Sequence, residues 1–124
     1  MQQIDMGAKK EITAQLTKNL LDMIILGLLN RKDMHGYEII TSIRKDYGIN
    51  FGPSTIYPLL NLLEKKGHLE SAWDMTTERP RKVYKLTENG RNILAYSEGA
   101  LLSFCKTLSV SPSNTTFLTN CQSE

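Results

Sequence analysis

His35, Tyr37 and Glu38 stand close together in the chain, and an imidazole near a carboxylate is common raw material for acid–base catalysis. A reaction site would also need a nucleophile or a second carboxylate at a matching spacing, and the sequence offers neither. His35 reads instead as a cap or packing residue, and Tyr37 as mainly structural with a phosphate contact open to it. Cys105 and Cys121 form no CxxC pair, and with His35 and His68 they give no zinc spacing. No metal, disulfide framework or cofactor is expected. With no phosphate-cradling glycine loop either, an enzyme is the weakest class.

A different chemistry gathers between Arg79 and Arg91, where Arg79, Arg81, Lys82, Lys85 and Arg91 are set against Glu88 alone. The formal net charge of the whole chain is only +2, so the local cluster rather than the total points to a polyanion. A solvated hairpin tip is the plain alternative for such a run.

The elements that must carry this cluster follow from hydrophobic spacing. The 124 residues suit one domain, and 40% hydrophobic with 23% charged residues is ordinary globular composition. The longest apolar run, Met23 to Leu29, is seven residues, and no basic leader precedes it. The chain is therefore expected to be cytoplasmic, neither secreted nor membrane-spanning.

Leu16, Leu20, Met23, Leu26 and Leu29 recur at helical spacing and predict a largely buried first helix. Tyr37, Ile40, Ile43 and Tyr47 mark a second, stopped at Gly48. A third opens near Pro53, with Ser54 and Thr55 as cap candidates, and ends at Gly67. Pro58 is tolerated if it lies in the first turn, where its missing N–H has no partner to lose, which puts the helix start close to Ser54. At about 100° per residue, Ile56, Leu59, Leu60 and Leu63 share one face, and Ser54, Pro58, Asn61 and Lys65 the opposite one, with Tyr57 at its edge. Strands over Leu69 to Met75 and Lys82 to Leu86 form a hairpin, and Thr87 caps a last helix carrying Ile93, Leu94, Leu101, Phe104 and Leu108.

The expected fold is mainly α with a small β-hairpin (α+β): a winged helix-turn-helix plus a C-terminal dimerisation helix. Its segments are an N-terminal extension (1–13), the winged domain (14–86), the dimerisation helix (87–108) and a polar tail without fixed structure (109–124). In such a fold the third helix enters the major groove and the basic hairpin flanks it.

Four segments then carry a resemblance: Met34-His35-Gly36-Tyr37-Glu38-Ile39, Pro53-Ser54-Thr55-Ile56-Tyr57-Pro58-Leu59-Leu60, Leu63-Glu64-Lys65-Lys66-Gly67 and Tyr84-Lys85-Leu86-Thr87-Glu88-Asn89-Gly90. In order and spacing they resemble the PadR family, from about Leu20 to Leu94, and in particular its shorter subfamily with a single C-terminal helix. The resemblance implies a homodimeric regulator of transcription, often a repressor, bound to a short palindromic operator and in some cases released by a small-molecule effector.

Several residues have a functional reading beside a plain one. Ser54, Thr55, Tyr57, Pro58, Asn61 and Lys65 on the third helix, Arg79, Arg81 and Lys82 on the hairpin, and Tyr37 are the expected contacts to double-stranded DNA. Asn61 suits adenine, and Tyr57 and the basic residues suit phosphate; capping and packing are the plain alternatives. Leu16, Leu20, Leu94, Leu101, Phe104 and Leu108 are expected at the dimer interface. Trp73, Tyr96 and Phe104 could line an effector pocket, or simply pack. The competing function is a winged-helix module for protein–protein interaction. Large apolar anchors on the outward face of the third helix would favour that reading, and Ser54, Pro58, Asn61 and Lys65 provide none.

Overall fold

Leu21, Ile24, Ile25, Leu26, Leu28 and Leu29 are all buried, and the helix that holds them, α2 (Leu21–Arg31), is the centre of the molecule. In the computed structural model, which describes residues 5–109, it packs against the first helix of a helix-turn-helix, a small sheet and the C-terminal helix. The first helix expected from the sequence is in fact two. α1 (Met6–Asn19), capped by Asp5 through a 2.7 Å bond from the Ala8 N–H, ends at Leu20, and α2 leaves it at 68°. The apolar spacing runs through Leu16, Leu20 and Met23 without interruption, so periodicity could not reveal the bend. Most of the segment expected as an N-terminal extension is thus helical, from Met6 onward.

A two-residue strand, β1 (Met34–His35), leads directly into α3 (Gly36–Tyr47). His35 caps α3 in a reciprocal box: its Nδ1 accepts from the Glu38 N–H, and Glu38 Oε1 accepts from the His35 N–H. Gly48, at φ +73°, ends the helix where a left-handed residue is required. α4 (Pro53–Lys65) follows, with Ile56, Leu60 and Leu63 turned into the core.

Two local expectations for α4 change. Its N-cap is Gly52, whose carbonyl accepts from the Thr55 and Ile56 N–H groups; Ser54 and Thr55 lie inside the first turn and do not cap it. Pro58 is the sixth helical residue, beyond the region of unpaired N–H groups, so the Ser54 carbonyl forgoes its bond from position 58. Pro53 at the first helical position is what marks the start.

β2 (Leu69–Asp74) and β3 (Arg81–Leu86) form the expected hairpin, and β1 joins the other edge of β3 to give an antiparallel sheet in the order β1-β3-β2. Met34 lies opposite Tyr84, and Leu69 opposite Leu86. α5 (Glu88–Thr107) is capped by Thr87, whose hydroxyl accepts from the Gly90 N–H at 2.9 Å and donates to the Gly67 carbonyl at 2.7 Å. That pair of bonds ties the start of α5 to the end of α4. Gly90 is needed there because a β-carbon would overlap the His68 carbonyl. The fold is α+β, five helices and a three-stranded sheet among the described residues, in the arrangement of a winged helix-turn-helix with an appended helix. Among those residues no single helix is long and apolar enough to cross a membrane; the bent pair α1 and α2 passes such a test only together. The tail from residue 110 lies outside the described residues.

Candidate nucleic-acid interface

The helical-wheel face of α4 is the one the fold leaves open. Ser54, Tyr57, Pro58, Asn61 and Lys65 are exposed while Ile56, Leu60 and Leu63 are buried; Thr55 is half-buried. α3 crosses behind this helix, and the hairpin stands beside it as a wing.

Tyr57 is placed by a close approach that the sequence does not advertise. Its hydroxyl and ring lie on Gly36, the first residue of α3, where a β-carbon would overlap both. Only glycine lets the tyrosine lie there, and the contact fixes α4 against α3. Tyr37, the next residue of α3, is 64% exposed beside it.

On the wing the cations divide. Arg79 is exposed in the connection between β2 and β3, with its carbonyl bound by the Thr77 hydroxyl. Arg81, also exposed, reaches His35 with Nη1 3.0 Å from Nε2. Lys82 is turned inward: its Nζ is 3.8 Å from Glu64 Oε1 on α4 and 5.9 Å from the Tyr84 ring centroid. Glu64 also accepts from the Ser71 hydroxyl at 2.6 Å, so it buttresses the wing against α4. The sequence places Arg81 and Lys82 side by side, but their side chains diverge, Arg81 toward His35 and Lys82 toward Glu64.

Charge within this region is organised around the cap of α3. Burial pushes the Glu38 carboxyl up, but the His35 N–H, the His35 ring and Lys32 together outweigh it and hold the group below the usual carboxylate range. Asp74 at the end of β2 is lowered by the Thr76 hydroxyl and N–H, with Arg81 and His35 adding to the effect. Burial raises the Tyr84 phenol, and Glu64 and Tyr57 reinforce it.

A hollow of about 630 Å³ lies between α3, α4 and the wing, and it gathers Tyr37, Tyr57, Asn61, Arg81 and Lys82 with His35, Tyr84 and Trp73. Ser54, Thr55, Pro58, Lys65 and Arg79 lie outside its lining; Lys65, eleven residues after Ser54, is roughly 16 Å along the helix at 1.5 Å per residue. Trp73 is separated from the aromatic residues with which the sequence grouped it. Tyr96 and Phe104 stand on α5 and line another groove, of about 620 Å³, with Met23, Leu26, Ile93 and His68. Trp73 shares the parity of Leu69 and Ser71, and that signal alone would have placed it on the α4 side of the wing.

The opposite end of the molecule is apolar. Met6, Ile12 and Leu16 on α1, Tyr96, Leu102 and Phe104 on α5, and Leu108 at its C-cap are exposed. Ala95, Gly99 and Ser103 form a furrow on α5 beside Tyr96 and Phe104. Of the residues expected at a dimer interface, Leu16, Phe104 and Leu108 are available and Leu101 is half-buried. Leu94, 3% exposed, belongs to the protomer's own core, and Leu20 packs against that core. Core and interface positions repeat at the same helical spacing, which is why they were not separable in sequence.

Residues 25–96, more than half the chain, match the family described as Transcriptional regulator PadR-like. The transcriptional activator GvpE of Haloferax mediterranei is 37% identical over 79 residues, which cover 64% of this chain and 37% of GvpE. The PadR family transcriptional regulator of Eggerthella lenta superposes with a TM-score of 0.74 at 31% identity, over 83% of this chain and 90% of that one. Bacillus subtilis PadR, solved in complex with operator DNA, superposes with a TM-score of 0.57 at 29% identity, over 61% of this chain and 45% of that one. This chain therefore spans well under two thirds of GvpE.

Proposed function

The chain belongs to the PadR-like family of transcriptional regulators, and on that premise we propose that it binds double-stranded DNA as a homodimer, reads a palindromic operator and represses transcription. Its family and relatives are transcriptional regulators rather than enzymes. The observation that carries the DNA reading is the hollow in which Tyr37, Tyr57, Asn61 and Arg81 converge from α3, α4 and the wing. The first turns of α4 enter the major groove, with Ser54 and Asn61 toward base edges, while Tyr37, Tyr57, Arg79 and Arg81 take phosphates. The Bacillus subtilis relative, solved in complex with operator DNA, supports the DNA-binding reading.

Dimerisation is assigned to the apolar end. Exposed Phe104, Leu108 and Leu16 supply the contact area, and the small residues Ala95, Gly99 and Ser103 allow a second α5 to approach closely. Two copies then present their α4 helices about 34 Å apart, one turn of B-DNA. A dimer seated across two major grooves excludes polymerase from the same DNA, which is the basis for repression. A small-molecule effector would act in the groove of Tyr96, Phe104, Met23 and Leu26, where the His68 Nδ1 is buried without a hydrogen-bond partner among the described residues.

The test is selection of bound duplexes from a random pool by the full chain. Enrichment of a palindrome supports the proposal; enrichment of no site overturns it. A promoter reporter carrying the selected site decides the sign, since repression requires expression to rise when the protein is removed.

A further inference from the structure

We propose that Trp73 is a DNA-contacting residue, its indole resting on the sugar–phosphate backbone beside α4. The inference rests on the DNA-binding reading above and adds to it a wing residue with no charge.

Strand alternation and register set the geometry. Leu69, Ser71 and Trp73 point to one face of β2, and their cross-strand partners Leu86, Tyr84 and Lys82 share it. Along that face Leu69, Leu86 and Tyr84 are buried, and Ser71 is bonded to Glu64. Trp73, four residues farther out than Leu69 and so about 13 Å along the strand, is 62% exposed. Lys82, its direct partner, is drawn back to Glu64, which leaves the indole as the most exposed side chain on this face of β2 and β3.

The surroundings identify the occupant. Trp73 lines the same hollow as Tyr37, Tyr57, Asn61 and Arg81, so whatever meets those residues meets the indole. A nucleic-acid backbone alternates an apolar sugar with an anionic phosphate. The indole matches both, offering a ring face to the deoxyribose and an Nε1–H donor to a phosphate oxygen, while Arg81 supplies the charge. A ligand pocket shared with Tyr96 and Phe104 would need the ring at α5, and those two residues line a separate groove.

Trp73 is the chain's single tryptophan, so emission excited selectively from tryptophan, beyond tyrosine absorption, reports on this position alone. The full chain is titrated with the duplex enriched from the random pool, labelled for anisotropy at one end. Emission is expected to change saturably with the same midpoint as anisotropy. Trp73→Ala should bind about tenfold more weakly at unchanged dimer mass, and Trp73→Phe, which keeps a ring but loses the N–H donor, should lose less. Unchanged emission at saturation, or wild-type affinity in Trp73→Ala, overturns the assignment while leaving the DNA-binding reading intact. If the wild-type chain itself binds no duplex, that reading falls first and this one with it. Should the alanine variant fail to fold, the wild-type titration and Trp73→Phe still decide.

Discussion

The two exposed ends of this protein are open for opposite reasons. The end formed by α3, α4 and the wing is polar and tightly braced: Tyr57 lies on Gly36, Glu64 holds Ser71 and Lys82, and His35 joins the cap of α3 to Arg81. The end formed by α1 and α5 leaves Met6, Ile12, Leu16, Tyr96 and Phe104 exposed, and among the described residues α5 buries only Gly90 and Leu94 and α1 only Thr17. A surface that reads DNA gains from being rigid before it binds, because ordering loose side chains costs affinity. A surface that meets a second copy of itself needs apolar area and room for close approach, and in the proposed dimer Phe104 with Ala95, Gly99 and Ser103 would supply them.

Introducing charge at the apolar end should have the largest consequence. Phe104→Glu with Leu108→Glu buries two carboxylates in the proposed interface and is expected to weaken the dimer by a hundredfold or more, on the order of 3 kcal/mol. Sedimentation should show a folded monomer, and operator affinity should fall to that of one half-site. A dimer that survives both substitutions would move the interface away from the end of α5.

The braced end should fail differently. Gly36→Ala forces the Tyr57 ring off α3 and is expected to cost about 1–3 kcal/mol of stability, as overpacking does, together with at least a tenfold loss in DNA affinity. Adding Tyr57→Ser should restore the stability and not the affinity. Rescue of both would reduce Tyr57 to a packing residue.

Within the wing, Arg79→Ala with Arg81→Ala should flatten the dependence of log affinity on log salt by about one unit per lost phosphate contact. Lys82→Ala should change that slope least, because Glu64 already engages its ammonium. An equal loss from Lys82 would mean that the ion pair opens on DNA.

The smallest effect concerns the cap of α3. The Glu38 carboxyl titrates below its ordinary value of 4.5, so its ionised form stabilises the fold above that pH, and the contribution disappears as pH falls through the depressed value. Glu38→Gln should therefore reduce stability at pH 7, by at most about 1 kcal/mol after solvent screening, and converge on the wild type as pH falls through the depressed value. A difference that persists in acid would mean that the charge is not the source.

Much of this molecule was legible in the order of its residues, and the parts that were not have physical reasons. Gly48, Pro53 and Gly67 mark the ends of α3 and α4 because only particular residues suit those backbone positions, and the helical wheel of α4 separates its buried and open faces correctly. The bend at Leu20 is silent because apolar spacing continues through it, and β1 is too short to show alternation. The inward turn of Lys82, the contact of Tyr57 with Gly36 and the place of Trp73 all depend on which elements meet in space. For Trp73 the parity of β2 carried the answer, and its grouping with Tyr96 and Phe104 followed residue type instead.

The central claim is that two copies of α4, held at a fixed distance by α5, read two half-sites together. It is tested most directly by inserting five base pairs between the half-sites of the selected duplex and measuring affinity against the unaltered one. Half a turn of DNA places the second half-site on the opposite face, so affinity should drop to that of a single half-site. Equal affinity for both duplexes would contradict the account.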